Sequence, residues 1–166
     1  MAVRGWPRLL LWQNFRVIAS SPQGVNEDAQ TEASIEPPER IQVVSGGGQL
    51  RLASFNVSVR IVPHGTWVVR GKPTNTLLAH EQGHWDIAGL TAHEYHRALE
   101  SLRASSQADL AQLAEAALQR IQTKVDGLQA KYDRETSHSR NASAQTQWAM
   151  LIRTCIANGN RALPNP

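Results

Sequence analysis

Two long apolar stripes of similar length, separated by a short break, constrain this chain more than any other feature of its sequence. Leu78, Trp85, Ala88, Ala92, Tyr95, Leu99 and Leu102 recur at helical spacing and mark a helix from about residue 75 to about 103. Thr74 or Asn75 caps its start. Ser105-Ser106 is a break. Leu110, Leu113, Ala117, Ile121, Val125, Leu128 and Tyr132 then form a second stripe over about 107–133. Two rods joined so briefly fold back on each other antiparallel. Residues 134–141 read as a polar connector. A third helix, about 142–157, sets Trp148, Leu151, Ile152 and Cys155 on one face, and Gly159 ends it.

The first half of the chain has a different period. Residues 9–19 read as a strand, and 20–40, with turn formers, acids and Pro37-Pro38, as loop with short extended pieces. Residues 41–45 read as a strand, Gly46-Gly47-Gly48 as a turn, and 49–62 as a longer strand or bent pair. Within it Phe55, Val57, Val59 and Ile61 alternate with polar neighbours, the pattern of one buried face. Pro63-His64-Gly65 turns the chain into a short strand from Thr66 to Arg70. We place that strand at a sheet edge, open to an extended peptide. Strands first and helices second give an α+β class: a single domain over 1–166, sheet-rich at 9–71 and helical at 75–157. A small N-terminal antiparallel sheet is expected to pack on the first helix, followed by two further helices.

Composition excludes several classes. The 166 residues suffice for one domain, with 41% hydrophobic and 19% charged residues, as in ordinary globular proteins. The net charge is only +3 and the basic residues are scattered, which argues against a nucleic-acid partner. Cys155 is the only cysteine, so no intrachain disulfide forms. No apolar run is long enough to span a membrane. The stretch Leu9 to Trp12 after Met1–Arg8 is too short for a signal peptide, so none is expected in this chain. Oligomeric state is left open by the sequence.

The chemistry sits on the first helix. His80 and His84 are four residues apart, which puts them within about 40° of each other on one face. Two imidazoles so placed reach one zinc ion, and Glu81 beside them is positioned to take a proton from a metal-activated water. Ile87 and Leu90 stand where a metzincin has glycine and a third histidine, so that class is excluded. His93 and His96 face roughly 180° and 120° away from His84, and are expected on a solvated polar face. The third ligand must therefore come from another element. His138, in the connector where the second helix returns, is the choice, with Glu135, Asp133 and His64 as rivals. Asp133 and Asp86 are candidates to orient an imidazole, and Asp133 is the better placed of the two. Tyr132 is read either as a donor to a developing oxyanion or as core. Trp85 and Trp148 read as core.

Leu77-Leu78-Ala79-His80-Glu81-Gln82-Gly83-His84-Trp85-Asp86-Ile87 resembles the active-site segment of a bacterial domain-of-unknown-function family of proposed secreted zinc-dependent proteases. Tyr132-Asp133-Arg134-Glu135-Thr136-Ser137-His138, continuing to Gln145 and Trp148, resembles its second signature, and Trp12-Gln13-Asn14-Phe15 its opening strand. The resemblance implies a zincin-like fold, one zinc ion held by His80, His84 and His138, and a protein or peptide substrate. That family has glycine after its last histidine, where this chain has Ser139. Its members are exported, whereas no export signal is seen here, so localisation is left open. The expected activity is that of a zinc metalloprotease with Glu81 as general base. Two rivals are a zinc-stabilised binding module without catalysis and a helical interaction protein using 107–133 as a coiled coil.

Overall fold

The structure, a computed structural model, describes residues 3–166. Met1 and Ala2, the first residues of the segment read above for a leader, lie outside the described residues. Eight short strands precede three helices: β1 Val3–Arg4, β2 Arg16–Ile18, β3 Ala29–Gln30, β4 Ala33–Glu36, β5 Gln42–Gly46, β6 Gln49–Ala53, β7 Val57–Ile61, β8 Trp67–Val69, α1 Asn75–Ser101, α2 Gln107–Thr136 and α3 Ala142–Ala157.

The sheet half departs from a single antiparallel sheet. The strands form three small sheets, ordered β1-β7-β4, β2-β8-β3 and β5-β6. Two of the pairings, β1 with β7 and β2 with β8, are parallel. Period-2 alternation identifies a buried face but does not encode the direction of a partner strand, and parallel partners here are far apart in sequence. The strand expected over 9–19 shrinks to β2. Before it, Leu11 and Asn14 close a tight turn: the Asn14 amide donates to the Leu11 carbonyl, and Asn14 Oδ1 accepts from the Leu11 amide. The 49–62 segment is a bent pair, broken at Ser54 (φ +52°). The strand at 66–70 is not an edge. β8 lies between β2 and β3, so both of its sides are already paired. The edges are β1 and β4 of the first sheet, β2 and β3 of the second, and both strands of the β5-β6 pair.

The helices follow the apolar stripes. Thr74 caps α1, its side chain accepting from the Leu77 amide, and Ser106 caps α2 in the same way from Asp109. α2 runs three residues past its expected end, to Thr136, whose hydroxyl donates to the Tyr132 carbonyl. Buried residues form one continuous core. It joins Val57 and Val59 of β7 through Trp85, Leu90 and Leu99 of α1 to Leu110, Ile121 and Leu128 of α2 and Ile152 of α3. α1 is thus enclosed, packed by α2 and α3 on one side and by β1, β4, β6 and β7 on the other.

Two glycines permit this enclosure. A Cβ at Gly83 would lie 2.2 Å from Tyr132 Oη, and one at Gly89 would lie 2.3 Å from the Trp6 ring. Beyond Trp6, Leu10 packs into the core, and its amide donates to Gln82 Oε1 at 2.8 Å.

Candidate metal centre

The antiparallel return of α2 brings its last turn beside the second and third turns of α1. There three ligand atoms converge. His80 Nε2 and His84 Nε2 lie 3.1 Å apart, and Asp133 Oδ1 stands 3.2 Å from the first and 2.9 Å from the second. Donors arranged tetrahedrally at zinc bond lengths would be about 3.3 Å apart, close to these separations. The two histidines are buried, and the Asp133 side chain retains 27% of its exposure, so the cluster opens to solvent through the carboxylate.

The far nitrogens of both imidazoles are fixed by glutamine side chains. Gln129 Nε2 donates to the His84 carbonyl at 3.0 Å, which turns Gln129 Oε1 toward His84 Nδ1 at 2.6 Å. Gln145 of α3 donates through Nε2 to Tyr132 Oη, which turns its Oε1 toward His80 Nδ1 at 3.1 Å. An amide oxygen can only accept, so in both rings Nδ1 carries a proton and Nε2 is the nitrogen left to face the cluster, where it hydrogen-bonds to Asp133 and becomes a ligand once deprotonated. Two imidazole nitrogens and a carboxylate oxygen, all within 4.8 Å of one another, form a donor set that could hold a metal ion.

Glu81 is 1% exposed and its Oε2 has no hydrogen-bond partner, an uncompensated buried oxygen beside the donor set. Burial pushes the Glu81 carboxyl above its usual range, against the pull of His84, the Thr31 hydroxyl and His80. Burial alone would lower His84, but the Asp133 bond and the charges of Glu81 and Asp133 raise it to about 9. Burial would likewise raise Asp133, yet the bonds from His80 and His84 hold it below the usual carboxylate range. The charges of Asp133 and Glu81 thus favour the protonated form of His84, a positive charge that a bound cation would replace.

The remaining sequence candidates separate clearly. Tyr132 is fully buried and stacks on His80, with ring centroids 4.6 Å apart. Its hydroxyl donates to the His80 carbonyl at 3.1 Å, so it braces a histidine and is not free to meet an oxyanion. Burial pushes its phenol far above the usual range, which keeps the donor proton in place. Asp86 is away from the cluster; it accepts from Trp6 Nε1 at 2.9 Å and from Gln82 Nε2 at 3.1 Å. Glu135 accepts from Trp148 Nε1 at 2.8 Å, and His64 lies exposed in its turn.

His138 lies next to Asp133, its Nδ1 3.5 Å from Asp133 Oδ1 and 3.2 Å from Glu27 Oε1. It sits in a run of three residues with left-handed backbone, Ser137, His138 and Ser139, at φ values of +50°, +50° and +73°. Ser139 therefore holds the conformation that glycine adopts freely. His96 does not face solvent as expected, and His93 does so only in part. His96 is buried with its ring 4.7 Å from that of Phe55, and His93 packs edge-on to Trp6, because sheet strands and the N-terminal segment cover that side of α1.

Two site residues escaped the sequence reading, and a third was only glimpsed in it. Glu27 sits in a polar loop that only the fold brings to the site. Gln129 lies one helical turn before Asp133, a spacing that could have suggested it. Gln145 was visible only within the second resembled signature. Glu27 and Gln129 line, together with His80, Glu81, His84, Asp133 and His138, a cleft of about 410 Å³ that runs between residues 25–33 and α2.

Residues 71–139 match a family described as a bacterial protein of unknown function, DUF922. The match spans α1, α2 and the turn bearing His138, and leaves out Glu27 and Gln145. It bears out the expected likeness to a bacterial family of unknown function, and its description carries no activity. No curated protein and no solved structure matches the chain.

Proposed function

We propose that this chain is a zinc-dependent hydrolase, and specifically a metallopeptidase. The observation that carries the reading is the convergence of two oriented imidazoles and a carboxylate beside a buried, unpartnered Glu81 oxygen, all on one cleft. His80 and His84 are the imidazole ligands. Asp133 is the third donor in contact with both, with His138 adjacent to it. Zinc, when bound, supplies Lewis acidity and a water acidified toward neutral pH. Glu81 accepts the proton of the attacking water and hands it to the leaving amine, a task suited to a carboxyl raised by burial. Gln129, Gln145 and Tyr132 hold the two imidazoles in the correct tautomer and orientation.

The peptide reading draws on the cleft wall. Residues 29–33 line it, and β3 and β4 are both edge strands whose outer sides are unpaired within the sheets. An extended chain laid along them would gain backbone hydrogen bonds and pass over the donor set. Among the described residues no helix is long and apolar enough to cross a membrane.

Two measurements test the reading. Elemental analysis of protein purified without chelator should find tightly bound zinc, lost in His80→Ala and His84→Ala. Glu81→Gln should retain that zinc and lower hydrolysis of a peptide library by about two to four orders of magnitude. Equal cleavage by the variant and the parent would overturn the catalytic role. Zinc without any cleavage would favour the non-catalytic binding module.

A further inference from the structure

The cleft holds a second convergence of ligand atoms. Glu27, Asp133 and His138 each offer one atom, and these lie within 4.8 Å of one another. His138 Nδ1 is buried and finds no hydrogen-bond partner, although Glu27 Oε1 stands 3.2 Å away. The contact is thus one of distance without the alignment of a donated hydrogen, as when two donor atoms face a shared position. The backbone supports this placement. The His138 amide donates to the Asp133 carbonyl at 3.1 Å, and the Asn141 amide to the Thr136 carbonyl at 2.8 Å, which pin the left-handed turn and aim the imidazole inward.

Charge points the same way. Glu27, Asp28, Glu32, Glu81, Asp126 and Asp133 line the cleft. Among the described lining residues there is no lysine or arginine, in a chain whose net charge is +3. One divalent ion at His80 and His84 would offset Glu81 and Asp133, and would leave Glu27 facing only His138.

We infer a second divalent-metal site formed by Glu27, His138 and Asp133, sharing the Asp133 carboxylate with the His80/His84 set. The inference rests on the metal-centre reading above, because the shared carboxylate belongs to both. One imidazole nitrogen and two carboxylates suit zinc or manganese. Two ions joined by a carboxylate are a known solution for hydrolysis, in which one position serves the nucleophile and the other the substrate oxygen. The second set is wetter: its side chains retain 25–35% of their exposure, against 3% and 10% for His80 and His84. It should therefore bind the more weakly of the two.

Metal uptake tests this without reference to activity. Metal-free protein is titrated with zinc, and separately with manganese, and the bound ions are counted by calorimetry and elemental analysis. The expected result is about two ions per chain, the second roughly tenfold or more weaker than the first. Glu27→Gln should abolish the weaker binding and leave the tighter intact. His138→Ala should do the same, and keeps the test open if the first variant fails to fold by circular dichroism. Saturation at about one ion in the parent, or weaker binding unchanged in both variants, overturns the inference. So does loss of the tighter ion in His138→Ala, which would place that imidazole with His80 and His84. The hydrolase reading fails separately: absence of peptide cleavage by the metal-loaded parent sinks it and leaves the ion count standing.

Discussion

The two sides of α1 are both held by an aromatic ring laid on a bare glycine, yet they are held for different ends. On one side Tyr132 lies against Gly83 and its hydroxyl holds the His80 backbone, while Gln145 and Thr136 tie the His80 ring and Gln129 the His84 ring by directional hydrogen bonds. On the other side Trp6 lies against Gly89, and Asp86 and Gln82 fasten the N-terminal segment to the helix. The first side fixes the angles of two rings. The second buries apolar surface and closes the core. Directional bonds set geometry at little net gain in stability, whereas burial stabilises without fixing orientation. The two sides should therefore fail differently when cut.

The largest effect is expected at the glycines. Gly83→Ala and Gly89→Ala should each cost about 1–3 kcal/mol by overpacking, measured by chemical denaturation of the metal-free proteins. Only Gly83→Ala should also weaken zinc binding, by roughly 100-fold, because Tyr132 must leave His80. A matching loss of affinity in Gly89→Ala would break the distinction between the two sides.

A sharper and smaller contrast uses one polar side chain from each. Gln129→Ala should reduce zinc affinity about 10–100-fold by freeing the His84 ring. Asp86→Ala should leave affinity unchanged and cost about 1–2 kcal/mol through the unpartnered Trp6 indole. Competition with a chromophoric chelator reads both.

What the sequence disclosed follows the same division. The helices were legible because stripe and cap are local: Thr74 begins α1 within a residue of its expected start, and α3 has its expected ends. The two histidines and Glu81 were legible because four-residue spacing on a helix fixes their common face. That α2 returns to the site followed from rod lengths. Which of its residues touches both imidazoles did not, since one helical turn of uncertainty separates Asp133 from His138. Parallel pairing of β1 with β7, and the approach of Glu27, depend on contacts between distant segments that carry no local pattern. The sheet strand expected at 66–70 was found, but its neighbours, and so its interior position, are properties of the assembled sheet.

A third prediction concerns pH in the metal-free protein. His84 is raised to about 9 in the folded state. Its charge-linked stabilisation is fully present below the unfolded value near 6.5 and is lost as pH rises toward 9. Denaturation midpoints should therefore fall across that window, by roughly 1–3 kcal/mol in stability. With zinc bound the fall should vanish, because the proton has been displaced. A flat profile without metal would show that Asp133 and Glu81 do not hold the proton as described.

The smallest expected effect is at the turn. Ser139 has φ +73°, so Ser139→Gly should relieve strain and raise stability by about 0.5–1 kcal/mol, with zinc affinity unchanged or slightly improved. A loss of stability would mean that the hydroxyl, rather than the backbone, matters there.

Tyr132 donates to the carbonyl of His80 and Gln129 to the carbonyl of His84, so α2 grips α1 at the main chain of the two ligand residues themselves. The pair acts as a vernier. Sliding α2 along α1 by a single turn would release both grips together and carry Asp133 out of reach, with no intermediate setting at which one holds. The alignment is read at the site and not at the hairpin turn some thirty ångströms away, about 1.5 Å per residue along each rod. Substitutions at the exposed residues of that distant turn should therefore leave the spacing of the two histidines unchanged.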